Sequence, residues 1–237
     1  MEFSIDYGPA YAMVTCNLVA GDRVIAEGGA MVSMTPGIDV QTGSGAAGGG
    51  ILGGLKRAAL GGESFFMNTF TAQAPAQISF APGAPGDIAH HALDGNTNVM
   101  VTSGSYLFSD GNVTVDTKWG GAKTFFSKEG LFLLNVAGAG NLFVASYGAI
   151  RRVDLEAGQT LIVDTGHVVA FHAGMGYQVR KFGNWKSTIL GGEGLVVELT
   201  GPGSVWIQTR SPESFAGFIA PFLPLQSSGT GGFSLGR

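Results

Sequence analysis

Laid against itself, the chain repeats, and this self-similarity limits what it can fold into more than any single motif does. Glu63-Ser64-Phe65-Phe66, Glu129-Gly130-Leu131-Phe132 and Glu193-Gly194-Leu195-Val196 each set a Glu one residue ahead of an apolar run. The second and third continue in parallel, because the residues around Gly138-Ala139-Gly140 match those around Gly201-Pro202-Gly203, each pair of glycines lying between two apolar runs. Upstream, Gly21 to Gly29 resembles Gly158 to Gly166, and Gly95 to Gly104 follows the same pattern more loosely. A unit of roughly 65 residues buries little apolar surface alone, so side-by-side copies must share cores and cover one another's strand edges.

Within each copy the apolar runs are short, rich in Val, Ile, Phe and Thr, and divided by Gly, Asn, Asp and Pro, which is the pattern of strands and tight turns. The expectation is an all-β chain of tandem β-sandwich units: a first repeat over 1–85 with a Gly-rich insertion at 43–62, a second over 86–148, a third over 149–211, and a short helix with a flexible polar tail over 212–237, all packed as one body. One or two short helices are expected, with residues 52–60 able to form one and Ser211-Pro212-Glu213 a good start for the other, where Pro suits the first turn. Residues 131 to 145 read as a hairpin of two buried strands turning between Ala137 and Asn141, since glycines and asparagines interrupt the run short of a membrane span.

Composition bounds the partners. Charged residues are 13% and hydrophobic residues 45% of the 237, a surplus of apolar surface that suits burial between subunits, so a homo-oligomer is expected, with a trimer preferred. The net charge of −4 offers no basic field to a phosphate backbone, and no nucleic-acid partner is expected. Cys16 is the one cysteine, which excludes an intrachain disulfide and suits a reducing compartment. With acids at Glu2 and Asp6 in place of a basic secretory leader, the chain reads as cytoplasmic, able to lie at the periphery of a membrane.

The run from Gly53 through Lys56-Arg57 to Glu63-Ser64-Phe65-Phe66, with Gly192-Glu193-Gly194-Leu195 and Gly201-Pro202-Gly203 to Trp206 downstream, resembles the family related to the protein named for altered inheritance of mitochondria. The resemblance runs from about Phe3 to Arg210. It implies a fold like that of the tryptophan RNA-binding attenuation protein (TRAP-like), a β-sandwich or short double-stranded β-helix, repeated in the subunit and assembled into an oligomer. The mitochondrial members are linked to organisation of the inner membrane. No catalytic residue carries over, and the fold does not bring RNA binding with it.

The candidate contact residues are Lys56 and Arg57 in the Gly-rich insertion and the recurring acids Glu63, Glu129 and Glu193. Three carboxylates related by repetition can converge on a cation or a sugar; the plainer reading has each accept backbone N–H groups where its strand begins. Gly43-Ser44-Gly45-Ala46-Ala47-Gly48 matches a dinucleotide fingerprint only by composition, since no strand–helix–strand unit surrounds it. Paired on a strand, His90 and His91 point to opposite faces, as do His167 and His172, so no metal and no cofactor is expected. Cys16 reads as a buried strand residue. What remains is a non-enzymatic oligomeric scaffold or binding protein that uses the Gly-rich loop and the apolar segment Phe215 to Leu225 against a protein partner or a membrane surface. The opposing reading is a small-molecule sensor or enzyme with a site between repeats; RNA binding by analogy of fold ranks below both.

Overall fold

A computed structural model describes residues 1–44, 66–116, 132–182 and 195–223, and over these the chain is all-β, built of antiparallel sheets. The strands come in three consecutive groups. The first holds β1 (Glu2–Asp6), β2 (Met13–Leu18), β3 (Arg23–Glu27), β4 (Met31–Met34), β5 (Ile38–Ser44), β6 (Phe66–Ala72) and β7 (Ala76–Phe80). The second holds β8 (Ile88–Asp94), β9 (Val99–Thr102), β10 (Tyr106–Asp110), β11 (Val113–Asp116) and β12 (Leu133–Ala145). The third holds β13 (Ile150–Leu155), β14 (Thr160–Asp164), β15 (Val168–His172), β16 (Gly176–Lys181), β17 (Leu195–Thr200) and β18 (Gly203–Gln208).

One pairing scheme runs through all three groups. In the first, β7 lies between β2 and β4, and β6 between β3 and β5. In the third, β18 lies between β13 and β15, and β17 between β14 and β16. In the second, a single strand fills both places: the first half of β12 pairs with β9 and β11, the second half with β8 and β10.

Residues 131 to 145 are therefore not a hairpin. From Leu133 they form one 13-residue strand that passes from one layer to the other near Gly138 and Gly140. Likewise β17 and β18, on either side of Gly201-Pro202-Gly203, pair with other strands and not with each other. A Gly-x-Gly break in an apolar run suits a change of layer as well as a reversal, and earlier strands in each group supply the partners that decide between them. At Gly138 the backbone has φ +114°, and a Cβ there would stand 2.5 Å from the Asn112 carbonyl oxygen, so glycine is required on both counts.

Neighbouring groups are joined by strand addition. β10 pairs with β3, and β15 with β9. The joining strands are buried on both faces: all four residues of β9, and all but the last of β10 and of β15. Three apolar clusters fill the layers, and the first reaches across groups, taking Phe80 from β7, Phe108 from β10 and Phe143 from β12. These rings stack in a column, Phe80 on Phe108 at 4.5 Å and Phe108 on Phe143 at 4.1 Å, with Phe3 edge-on to Phe143 at 4.8 Å. Truncating a ring so enclosed costs about 3–5 kcal/mol.

A helix, α1 (Pro212–Ile219), follows the third group as its start signal predicts: the Ser211 hydroxyl accepts the backbone N–H of Ser214 at 3.4 Å and Pro212 sits in the first turn. Among the described residues no helix is long and apolar enough to cross a membrane.

Candidate functional site

Where the second and third groups meet, side chains gather around Trp206 of β18. The register sets Arg152 of β13 opposite Trp206 and Asp154 opposite Ser204. Residues two apart on a strand share a face, so these four side chains fall together. The Arg152 guanidinium lies 5.6 Å from the Trp206 ring centre, a cation–π contact, and its Nε holds Asp154 at 2.8 Å. From β8, His91 meets the indole edge-on at 4.3 Å, and from β15 His172 meets it at 5.3 Å. The facing of His90 and His91 is as the strand alternation requires: His90 turns the other way, onto Phe3 and Phe143.

The Asp154, Ser204 and His172 side chains resemble a nucleophile relay in composition but not in wiring. The Ser204 hydroxyl donates to Asp154 at 2.6 Å and accepts from Arg152 at 3.1 Å. His172 Nδ1 accepts the backbone N–H of Ser204 at 3.2 Å, so this imidazole nitrogen is spent on the main chain and does not serve as a base for the hydroxyl. The hydrogen bond from Ser204, with that from Arg152, holds the Asp154 carboxyl below its ordinary range, while burial keeps His172 low, as the Arg152 charge does. Burial, then the charges of His90, His172 and Arg152, pull His91 down to about 4. Its Nε2 is buried and has no hydrogen-bond partner among the described residues. The cluster is thus an exposed arginine–aspartate ion pair lying over a buried indole, with a neutral imidazole packed against the ring.

A second titratable feature lies in the first group. Glu27 closes β3, and burial pushes its carboxyl up to about 7. Close by, the buried Tyr106 hydroxyl donates to the Ile25 carbonyl at 2.9 Å and contacts Ser109 Oγ at 2.9 Å; burial raises it well above an ordinary phenol. Cys16 is fully buried, and burial lifts its thiol to about 12. Among the described residues no three His, Cys, Asp or Glu side chains gather as a metal site.

The third feature is apolar. Phe215 and Phe218 of α1, with Phe222 and Leu223 just beyond it, are exposed by 47%, 68%, 76% and 58%, although rings of this size are usually covered. The spacing from Phe215 to Phe218 to Phe222 lays the rings along one helical side. Phe215 rests edge-on against Tyr147 at 5.6 Å, which pins the helix to the turn between the second and third groups.

The sequence-derived candidates Lys56, Arg57, Glu63, Glu129 and Glu193 all lie outside the described residues, as do the expected helix over 52–60 and the tail from 226. Sequence reasoning missed the meeting of His91 and His172 on Trp206, since the three come from β8, β15 and β18 and only the pairing register brings them together. It did find the apolar segment beginning at Phe215.

A family model described as mitochondrial biogenesis AIM24 matches residues 3–210. An uncharacterized protein of Streptococcus pyogenes serotype M6, M6_Spy0233, is 29% identical over 233 residues, covering 96% of this chain and 93% of that protein. The crystal structure of protein SPYM3_0169 from Streptococcus pyogenes is similar with a TM-score of 0.77 and 27% identity, covering 94% of this chain and 99% of the other.

Proposed function

The chain belongs to the mitochondrial biogenesis AIM24 family, and on that footing we propose that it is a non-enzymatic, oligomeric scaffold or binding protein of the cytoplasm that docks a protein partner through its C-terminal aromatic helix. The observation that carries this reading is the exposed row of Phe215 and Phe218 on a helix that Ser211 caps and Tyr147 anchors, continued by Phe222 in the turn that follows. An amphipathic helix with ring anchors at this spacing suits an apolar groove on another protein. Membrane-surface helices add Lys and Arg on the polar side, whereas the one charged residue within α1 is Glu213. The test compares the wild type with the Phe218→Asp, Phe222→Asp double variant in pull-downs and in flotation with neutral and anionic vesicles. Loss of specific proteins from the variant's bound set, with neither form floating, supports the reading; an unchanged bound set sinks it, and vesicle binding that the variant loses moves the partner to the membrane.

We also read the three strand groups as diverged copies of one unit, with limits at 85, 148 and 211. The shared pairing scheme supports it, and so does a shared irregularity: the register slips once in each equivalent strand, between Met31 and Ser33, Tyr106 and Phe108, and Val168 and Ala170. Bulges fixed at one place in a motif are built features.

A second reading rests on the Trp206 cluster, a site between repeats. Its support is the buried, unpartnered Nε2 of His91 beside an aromatic ring and a guanidinium. A small polar molecule such as a carboxylate or sugar would meet the exposed Arg152–Asp154 ion pair there, above the buried indole. Thermal-shift screening of carboxylates and saccharides tests it; a stabilising hit abolished by Arg152→Ala supports this reading, and silence across both classes counts against it.

A further inference from the structure

The joins between strand groups follow one rule, and the rule leaves two strands over. β10 adds to β3 with Phe108 opposite Ala26, Ser109 opposite Ile25 and Asp110 opposite Val24. β15 adds to β9 with Ala170 opposite Val101, Phe171 opposite Met100 and His172 opposite Val99. In both cases the bulged strand of one group adds, antiparallel, to the strand that immediately precedes the bulged strand in the group before it. The bulged strand of the first group is β4, and the third group's counterpart of the receiving strands β3 and β9 is β14. Among the described residues β4 pairs with β7 alone and β14 with β17 alone, so each presents an open edge.

Burial shows how much is missing there. All four residues of β4 are exposed, where the first four residues of β10 and β15 are all buried. Val32 is 54% exposed, while its equivalents Leu107 and Val169 are at 1% and 0%. On the other edge Ile162 is 48% exposed, against 1% for its equivalent Met100. Open, apolar strand edges of this kind are templates for pairing and are otherwise blunted with charge or Pro.

We infer that copies of this chain join head to tail, β4 of one adding to β14 of the next in the register used inside the chain: Ser33 opposite Val163, Met34 opposite Ile162 and Thr35 opposite Leu161. This deepens the oligomeric part of the proposed function and rests on it. The register follows from the bulge, which sits five residues after Ala26, Val101 and Val163 alike, counting to Met31, Tyr106 and Val168. Met34 and Ile162 then take the places that Phe171 and Met100 hold as a buried cross-strand pair. The contact is heterologous, since it uses a different edge on each copy, and such contacts propagate until rotation closes a ring. The partner is a second copy because the chain itself carries both halves of the join, twice realised internally.

The test is a Met34→Cys, Ile162→Cys double variant in the full-length protein, oxidised and run without reductant. Opposed residues of an antiparallel pair stand about 4.5–5.5 Å apart, within disulfide reach, and the native Cys16 is buried. The expected result is linked dimers and higher multimers, absent from either single variant and from a Ser33→Cys, Ile162→Cys pair that points to opposite faces. Wild type should weigh as an oligomer in native mass spectrometry, and Met34→Lys, which alters only a residue exposed in the single chain, should raise the dissociation constant at least about tenfold with an unchanged circular-dichroism spectrum. An oligomer that persists in Met34→Lys with no cross-link overturns this interface and leaves the oligomeric reading standing. A wild type that is monomeric at all concentrations overturns both, and a disulfide closed within one chain overturns the head-to-tail join.

Discussion

His172 accepts the backbone N–H of Ser204 through Nδ1 at 3.2 Å. At the equivalent place in the second strand group Asp110 accepts the N–H of Asn141 at 2.8 Å, and in the first Thr35 Oγ1 accepts that of Gln77 at 2.9 Å. Three different side chains thus satisfy one main-chain donor at the end of the bulged strand, and the need that recurs is for an acceptor, whatever its chemistry. Removing the acceptor leaves a partly buried donor unpaired. Asp110→Ala should cost roughly 1–3 kcal/mol in urea unfolding, and Asp110→Asn, whose amide oxygen still accepts, clearly less; equal losses would discard the acceptor account.

Glu27 sets a stability that falls as pH rises. Its carboxyl is raised to about 7 by burial, so the folded chain keeps a proton there that the unfolded chain, with an ordinary Glu near 4.5, has released. Stability from this group is complete below about pH 4.5 and is lost as pH climbs through 7. Glu27→Gln should remove that slope and stabilise the protein by roughly 1–3 kcal/mol at pH 8, after allowance for partial exposure. Urea midpoints from pH 4 to 8 that run parallel in the two proteins would refute it.

His91 acts in the opposite sense. Pulled down to about 4 chiefly by burial, it stays neutral in the fold where an unfolded His has begun to take a proton. Its contribution is whole above about pH 6.5 and drains away as pH falls toward 4. His91→Phe keeps a ring against Trp206 and removes the titration, so its stability should drop less than the wild type's between pH 6.5 and 4. Identical acid slopes would show that the imidazole is not the group at work.

Gly138 holds the crossing of β12 open. With φ +114° and the Asn112 carbonyl oxygen 2.5 Å from a would-be Cβ, Gly138→Ala carries both backbone strain and a clash, at a cost of roughly 2 kcal/mol or more. Gly43→Ala is the control, since its Cβ would meet nothing within 4 Å. Thermal unfolding of the two variants should separate them clearly; a Gly138→Ala protein as stable as the control would mean that β12 tolerates a different path.

The features that could be read before the fold was known are those with local causes. Strand character follows from β-branched and aromatic runs between turns, and the start of α1 from Ser211 and Pro212, because a cap and a first turn need only adjacent residues. The path of residues 131 to 145 was misread because a glycine pair marks a break without saying which strands lie beside it. The Trp206 cluster was invisible for a similar reason: Arg152, His91 and His172 are neighbours only through strand register. The depressed His91 and the raised Glu27 are consequences of burial, which no pair of adjacent letters reveals. The five acids and cations singled out at 56, 57, 63, 129 and 193 fall outside the described residues.

The stacked column of Phe80, Phe108 and Phe143 carries a consequence for the order in which the protein is made. Synthesis proceeds from the N-terminus, and segments generally fold as their residues emerge. The first core draws on Ala12 at one extreme and Ala145 at the other, so β2, β3, β6 and β7 leave the ribosome with the floor of their layer still unmade. Until Phe143 appears, the nascent chain presents Phe80 and the edge of β3 to its surroundings, and a pause in translation before that residue holds the chain at its most adhesive.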